Sequence, residues 1–489
     1  MISQASAAIL GFVSLYFLTR HLDATAYGEI SLALAIAATL NSIGDFGFNV
    51  AHIKRVSEGR DLDACLSTFV VIKIVLIAVM ILATLIVAHA SEFLFGSTLT
   101  AQGRELLLLF ALFHVLYHVA GIATATFDAR TETAKTQLSL IMDPLVRTPL
   151  IIIVTLGGIG ALGVAWAYVA GGLAFTAFAL LLLSRERIRW GRPVLIRSYV
   201  SFALPYSVTI ILAAAVLNVD RMVVGAFWLA SEVAYYTAAL TIVTIISLMG
   251  TSLITIIFPT FSSLHAKGRL DQVRSLTHQA ERYVSMASLP VIILFATLPA
   301  EVSIVLLGPS YLAASEPLRF LSIATYVSLL TGPYNIQVSA SNRPLLSAKL
   351  SVISLVVNLS LLLVFVPVDL AGLGGTGAAV AKLITYIVLI VVTRALIRKL
   401  TGTMSNRRIV LHLVAASVTG IALFTVTQFF APTGWLGLAA LGLLTTGIFA
   451  TVMYALGELR KEDVDFFRST INMREMFRYL SGELGNKTH

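Results

Sequence analysis

Residues 158–167 read GIGALGVAWA, and residues 372–381 read GLGGTGAAVA. The glycines at 158, 160 and 163 return at 372, 374 and 377, and the alanines at 165 and 167 return at 379 and 381. Both copies lie in a short turn between two long apolar runs. A repeat of this kind in a very apolar chain predicts a membrane protein built from two similar halves.

The composition supports a membrane protein. The chain has 489 residues, of which 58% are hydrophobic and 12% are charged, whereas a soluble protein carries about 25% charged residues. Lipid must therefore solvate much of the apolar surface, and a run of about 20 apolar residues is long enough for one helix to cross a bilayer. The apolar runs are near-continuous and not alternating, which excludes a β-barrel. We predict an all-α integral membrane protein.

The apolar runs divide into fourteen predicted transmembrane helices. We place them at residues 3–19, 29–50, 66–90, 105–126, 136–157, 161–184, 198–219, 236–259, 283–307, 318–339, 347–368, 374–396, 409–430 and 435–457. The first run has no basic segment before it and no clear cleavage site, so we expect a retained span and not a signal peptide. We predict an N-lobe at 1–190 (spans 1–6), a C-lobe at 191–400 (spans 7–12), spans 13–14 at 401–457 and a cytoplasmic amphipathic tail at 458–489.

The repeat extends beyond the glycine turn. Four residues return 208 to 213 positions later at the same place relative to a span: Tyr27, Leu62, Asp63 and Arg130 return as Tyr235, Leu270, Asp271 and Arg343. Six spans are an even number, so both halves enter the membrane from the same side. We therefore predict two parallel six-helix lobes, with two further C-terminal helices that have no counterpart.

The basic residues predict the orientation. Of the 34 lysines and arginines, 27 lie in or beside the connections after even-numbered spans or in the C-terminal tail, and four lie after odd-numbered spans. Because cytoplasmic loops carry the excess of Lys and Arg, we expect both termini to be cytoplasmic in the cell membrane. The net charge of +9 is then mainly a topology signal, and we expect no nucleic-acid partner.

The chain lacks the usual sequence motifs of enzymes. It contains no phosphate-cradling G-x-x-x-x-G-K-[ST], no H-E-x-x-H and no G-x-S-x-G. No predicted loop is long enough for a soluble domain, and Cys65 is the only cysteine, which excludes an internal disulfide and a thiolate metal site. We expect no enzyme activity, no cofactor and no metal ion.

Ionisable residues inside the predicted spans are the first candidates for a site, because a charge at the bilayer centre costs several kcal/mol without a partner or a polar cavity. Arg147 follows Asp143 by four residues, so it either forms an i,i+4 pair or meets an anionic substrate in a cavity. Lys382 has no acidic residue within four positions and needs a partner in space or an anion. Lys73 lies near the cytoplasmic end of span 3, where it either extends to the interface or binds substrate.

Other polar residues are candidates for coupling or gating. Asp45 lies near the cytoplasmic end of span 2. Asp220 and Arg221 lie at the predicted outer end of span 7, as an interfacial anchor or as a gate pair. His118 shares a helix face with His114, and the pair suits structural hydrogen bonding, protonation-linked transport or, less readily, a metal.

Three segments together resemble a known family. They are residues 218–239 (NVDRMVVGAFWLASEVAYYTAA), residues 22–34 (LDATAYGEISLAL) and residues 44–49 (GDFGFN). With the glycine turns, they resemble the Wzx-like oligosaccharide and polysaccharide flippases of the multidrug/oligosaccharidyl-lipid/polysaccharide exporter superfamily. The resemblance covers spans 1–12, and spans 13–14 match the longer members.

The resemblance implies two lobes around a central cavity that works by alternating access. The implied substrate is an undecaprenyl- or dolichyl-pyrophosphate-linked oligosaccharide for surface polysaccharide biosynthesis, and a polysaccharide polymerase or glycosyltransferase is a possible partner. Arg147 and Lys382 suit a pyrophosphate, and Asp143, Asp45 or His118 could carry a coupling proton. The alternatives are an ion-coupled multidrug antiporter of the same fold, a lipid II-type flippase and a membrane-embedded glycan enzyme.

Overall fold

The computed structural model describes residues 2–90, 99–186, 191–340, 344–429, 434–460 and 463, and this part of the chain contains helices and no strand. A 3-10 segment at Pro309–Ala314 joins two of the helices. The sixteen α-helices of the described residues are α1 Ile2–His21, α2 Ala24–Asp45, α3 Phe48–Ser57, α4 Leu62–His89, α5 Ala101–Ala129, α6 Thr133–Leu156, α7 Ala161–Ser184, α8 Ile196–Phe227, α9 Ala230–Ala266, α10 Leu270–Thr297, α11 Pro299–Leu307, α12 Ser315–Ala340, α13 Pro344–Phe365, α14 Gly374–Thr401, α15 Ile409–Phe429 and α16 Gly434–Ala455.

The all-α membrane fold is confirmed. Each predicted span overlaps a long helix, and twelve helices in the described part are long and apolar enough to cross a membrane. The other two predicted spans correspond to α1 and α12. Helix α12 is largely buried among α9, α10 and α14, so its polar residues are shielded from lipid and the helix need not be uniformly apolar.

The surface of the bundle shows where lipid lies. Helix α4 exposes Ile74, Leu82 and Ile86 by 61%, 58% and 60%. A contiguous apolar face of this kind is rare on a soluble monomer. Such a face is suited to contact with the hydrocarbon core of a bilayer.

The two glycine turns share a left-handed glycine at the equivalent position. Gly158 and Gly372 have φ of +66° and +64°, which other L-residues rarely adopt. At Gly163 an added Cβ would lie 2.6 Å from a side chain of α6, and at Gly377 it would lie 2.6 Å from a carbonyl oxygen of α13. The second connection is longer, since α13 ends at Phe365 whereas α6 ends at Leu156. The repeat therefore encodes one shared backbone conformation and two close helix contacts, as small residues do in membranes.

The helices form two packed groups. Helices α1–α7, here called the N-lobe, pack mainly on one another, as do α8–α14, the C-lobe, while α15 and α16 pack on α10. The lobes meet where α2 contacts α8 and α9, and α8 also contacts α3. The lobe boundaries at residues 190 and 400 stay predictions, and most of the predicted tail at 458–489 lies outside the described residues.

Two predicted spans are interrupted. Span 2 breaks between α2 and α3, where Phe46 and Gly47 have φ of 45° and 84°. Span 9 breaks between α10 and α11 at Pro299, which begins the second helix because proline has no N–H to continue the first. Each of these two predicted spans therefore contains parts of two helices.

Candidate functional site: the cavity between the lobes

A cavity of about 560 Å³ lies at the interface between the lobes. It is lined by α8, α9, α12 and α14 of the C-lobe and by Ala38 of α2. Two cationic side chains, Arg221 and Lys382, reach it. A second cavity of about 420 Å³ shares Leu217 with the first, so the two cavities adjoin along α8.

Arg221 is a cavity cation without a carboxylate partner in the described part of the chain. Its Nη2 donates to Asn218 Oδ1 at 2.6 Å, and its Nε has no hydrogen-bond acceptor among the described residues. Burial of a cation that is paired only with neutral groups is unfavourable. An anion in the cavity would therefore be bound strongly at this position.

Lys382 has a partner that local sequence could not supply. Its Nζ donates to Asp220 Oδ2, 162 residues away. Tyr236 donates to the same carboxylate at 2.7 Å, and Asn358 donates to its other oxygen at 2.6 Å. Asp220 is 1% exposed, so this network joins α8, α9, α13 and α14 inside the C-lobe.

Asp220 and Arg221 were predicted at the outer end of span 7, as an interfacial anchor or as a gate pair. The structure shows a longer helix. Helix α8 continues to Phe227, so both residues lie inside the helix. Neighbouring helical residues point about 100° apart, so Asp220 faces Lys382 while Arg221 faces the cavity.

Arg147 and Asp143 form the predicted i,i+4 pair at 3.2 Å. Tyr117 donates to Asp143 at 2.6 Å, and Arg147 lies 4.4 Å from the centre of the Tyr168 ring. The Arg147 pair and both tyrosines thus lie within the N-lobe.

Three predicted residues meet inside the N-lobe, toward the end that the basic loops predict to be cytoplasmic. Lys73 is fully buried, so it does not extend to the membrane surface. Its Nζ lies 3.5 Å from Asp45 and 3.5 Å from His118 Nδ1, and it donates to the Gly44 carbonyl at 3.1 Å. The His118 Nε2 has no partner in the described residues. This cluster brings a carboxylate, an imidazole and an amine together inside the N-lobe.

The sequence analysis missed a buried ion pair in the C-lobe. Glu281 is fully buried and pairs with Arg394, and Tyr334 donates to it at 3.0 Å. Predicted span 9 began at residue 283, which left Glu281 in a loop. A signal was available, because Glu281 follows Lys73 by 208 residues, the offset of the Leu-Asp repeat.

Aromatic residues of both lobes meet at the predicted outer end of the bundle. The repeated tyrosines Tyr27 and Tyr235, one from each lobe, have ring centres 6.3 Å and 5.7 Å from that of Tyr311. Beside them Gly28 packs so closely that an added Cβ would lie 1.8 Å from the Ala230 carbonyl oxygen. The lobes are therefore in contact on this side.

No group of three His, Cys, Asp or Glu side chains in the described ranges is arranged to hold a metal ion. The site consists of buried ion pairs, one cation that lacks a carboxylate partner and a cavity between two lobes. Such an arrangement can bind an anionic group and release it when the lobes move.

Comparisons with known proteins agree with this fold. A family model described as "Polysaccharide biosynthesis protein" matches residues 1–265. The probable low-salt glycan biosynthesis flippase Agl15 of Haloferax volcanii is 23% identical over 391 residues, which are 79% of each chain.

Two solved structures are similar. The lipid II flippase MurJ in an inward closed conformation has a TM-score of 0.74 at 14% identity, covering 93% of this chain and 98% of that chain. An inward-facing multidrug resistance MATE transporter of the MOP superfamily has a TM-score of 0.64 at 15% identity, covering 82% and 96%. At these identities the likeness shows the fold alone.

Proposed function

The chain belongs to the polysaccharide biosynthesis protein family, and we propose that it moves a polyprenyl-pyrophosphate-linked oligosaccharide across the cell membrane by alternating access. It would carry an intact lipid-linked glycan from the cytoplasmic to the outer leaflet and would make or break no covalent bond. A relative named as a glycan biosynthesis flippase supports the substrate class. Both termini would be cytoplasmic, as the basic loops predict.

The observation that carries the proposal is Arg221. It lines the interlobe cavity with only a neutral side-chain partner in the described residues. A cation in a medium of low dielectric attracts phosphate strongly, and the flexible lipid and glycan can extend away from it. The pyrophosphate would therefore rest at Arg221, beside Lys382.

The ion pairs give the lobes a means of switching. We propose that Lys382 leaves Asp220 for the pyrophosphate when substrate enters, while Arg147 and Asp143 support the N-lobe wall through Tyr168. Lys73, Asp45 and His118 form the coupling site, at which protonation changes which groups attract one another. The lobes would then have two arrangements of ion pairs, one with and one without bound substrate. Protonation and substrate binding would each change the relative stability of these two arrangements.

A multidrug antiporter of the same fold is the main alternative. A cavity for cationic drugs would present an unpaired carboxylate. Among the described residues no carboxylate lines the cavity, and Asp220 beside it is held by three donors, from Lys382, Tyr236 and Asn358. A lipid II-type flippase would also bind a pyrophosphate and would differ in the glycan that it carries. The glycan that is transported therefore distinguishes it from the proposed oligosaccharide flippase.

The proposal is tested in the native cell. Deletion of the gene should cause lipid-linked oligosaccharide to accumulate on the cytoplasmic face and surface polysaccharide to be lost. The wild-type chain should restore both, and R221A should restore neither at equal expression. Normal surface polysaccharide in the deletion strain, or dye efflux conferred by the chain, would instead favour the antiporter.

A further inference from the structure

A second basic pocket lies on the far side of the C-lobe. It has a volume of about 550 Å³ and is lined by α14 and by the connection from α14 to α15. Three arginines contribute to its walls: Arg394, Arg398 and Arg407. It lies at the end of the bundle that the basic loops predict to be cytoplasmic.

The pocket is separate from the interlobe cavity. Along α14, Lys382, Tyr386 and Thr393 line the two cavities described above. Val391 and Arg398 line the basic pocket. At 100° per residue these two sets occupy opposite faces of the helix, so the pocket faces away from the transport path.

The positive charge of the pocket is poorly compensated. Glu281 pairs with one nitrogen of Arg394, but the Arg394 Nε is buried without a hydrogen-bond partner in the described residues. Arg398 and Arg407 are exposed, and neither has a carboxylate within salt-bridge distance in the described ranges. Three guanidinium groups around one pocket suit a phosphate, because guanidinium binds phosphate oxygens through paired hydrogen bonds.

The second wall of the pocket is fixed in place. Arg274 Nε donates to the Thr401 carbonyl at 2.7 Å, and the His278 imidazole lies 2.7 Å from the Met404 carbonyl oxygen. Gly402 ends α14 with φ of +71°, which turns the chain back over the helix. The backbone of the second wall is thus held against α10, which keeps the pocket formed.

An apolar strip continues from the pocket toward the middle of the membrane. Val391, on the pocket wall, is 62% exposed, and Ile387, one turn further along α14, is 45% exposed. A free inorganic phosphate would leave this strip unused. An acyl chain attached to the phosphate would cover it, as lipid chains cover the exposed faces of other helices here.

We propose that this pocket binds the headgroup of an anionic phospholipid, with its phosphate among Arg394, Arg398 and Arg407 and an acyl chain along Ile387 and Val391. Basic pockets between membrane helices on the cytoplasmic side are suited to such headgroups. The site is distinct from the proposed transport site. It would attach the C-lobe to the anionic inner leaflet.

The test is lipid binding to the purified full-length chain in neutral detergent, measured by native mass spectrometry. The probes are phosphatidylglycerol, phosphatidylcholine with the same chains, and inorganic phosphate. Phosphatidylglycerol should bind more tightly than phosphatidylcholine, and inorganic phosphate should not displace it. Because each basic residue near an anionic lipid contributes about fivefold in affinity, R398A/R407A should bind phosphatidylglycerol roughly 25-fold more weakly.

The matched control is K267A/R269A, which removes two exposed basic residues on the same predicted side and should leave binding unchanged. A second variant, A395W, fills the pocket at an exposed position while keeping all three arginines, and should also weaken binding. Equal binding of the two lipids, unchanged binding by R398A/R407A, or displacement by inorganic phosphate would overturn the proposal.

Discussion

At the scale of single residues, Arg221 is the side chain on which the proposed transport depends. R221A should reduce flipping of a pyrophosphate-linked glycan at least about tenfold, because a charge-assisted contact to phosphate is lost in a low-dielectric cavity. Initial flipping rates in proteoliposomes measure this. R319A is the control, since Arg319 is half-buried, does not line the cavity and already pairs with Glu316 at 3.0 Å. Equal losses in both variants would contradict a specific role for Arg221.

The Asp220–Lys382 pair gives a second prediction. K382A and D220A should each destabilise the protein by about 3–5 kcal/mol, because each leaves an unpaired buried charge. The neutral double variant D220N/K382M should recover most of that stability, as measured by thermal unfolding of the detergent-solubilised protein. Losses that add in the double variant would show that the pair is not a coupled unit. Transport by the folded double variant then reports whether Lys382 itself contacts substrate.

The sequence identified several charged residues of the candidate site. It predicted only those pairs whose two members are close along the chain. The four-residue spacing of Asp143 and Arg147 predicts their contact, because both lie on one helix face. The partner of Lys382 is 162 positions away, and no local pattern encodes it. The burial of Lys73 likewise depends on the break after α2, which brings Asp45 beside it.

At the scale of secondary-structure elements, close packing of α2 on α9 should hold the outer end closed. G28V should weaken this closure, because its side chain would overlap the Ala230 carbonyl. A single cysteine at Ala234, which is buried on α9, reports opening when the native Cys65 is replaced. Labelling by an impermeant maleimide should be faster in G28V than in the parent chain.

The control for this measurement is G121V, because an added Cβ at Gly121 meets no atom within 4 Å. It should label at the rate of the parent chain. Equal labelling of G28V and G121V would mean that the α2–α9 contact does not control the outer end.

An ion-pair clamp joins α10 to the segment after α16. Arg282 binds Glu458 at 3.1 Å and also pairs with the Asp463 carboxylate. Burial alone would raise the pKa of Asp463, but the hydrogen bonds from Arg282 and the Arg460 amide outweigh burial and lower it. A lowered pKa stabilises the fold at pH values above the ordinary pKa, and this stabilisation is lost as the pH falls through the lowered value.

D463N should therefore lower the thermal midpoint at pH 7, by an amount equivalent to about 2 kcal/mol. The difference from wild type should shrink as the pH falls below the ordinary aspartate value of 3.8. Thermal scans of both proteins across this range check the prediction. A difference that does not change with pH would assign the loss to packing and not to the charge.

The positions of the helices could be predicted where the helices cross the lipid. They could not be predicted where contacts with other helices decide where a helix begins or ends. Long apolar runs must form helices in a bilayer, so the spans were found. Helix α10 begins at Leu270, thirteen residues before the predicted span, because its polar first turns pack on other helices outside the apolar region. Because the predicted span began too late in the sequence, Glu281 was placed in a loop.

At the scale of the whole molecule, the repeat specifies a scaffold and not a symmetric site. With the offset of 208, Lys73 of the N-lobe corresponds to Glu281 of the C-lobe, and with the offset of 214 Tyr168 corresponds to Lys382. Equivalent positions thus carry opposite or unequal charges. The spacing of the glycine turns alone predicted the shared architecture. The charges differ because the buried charged residues of each lobe pair with different residues.

The central claim is that a pyrophosphate-linked glycan passes between leaflets through the cavity at Arg221. The most direct measurement is flipping by purified protein in liposomes that contain a polyprenyl-pyrophosphate-linked oligosaccharide, followed by the access of an added glycosidase to the glycan. The account predicts flipping by the wild-type chain, loss with R221A, and little flipping of a polyprenyl-linked glycan without pyrophosphate. Equal flipping of both lipids, or none by a folded wild-type chain with an imposed ion gradient, would contradict it.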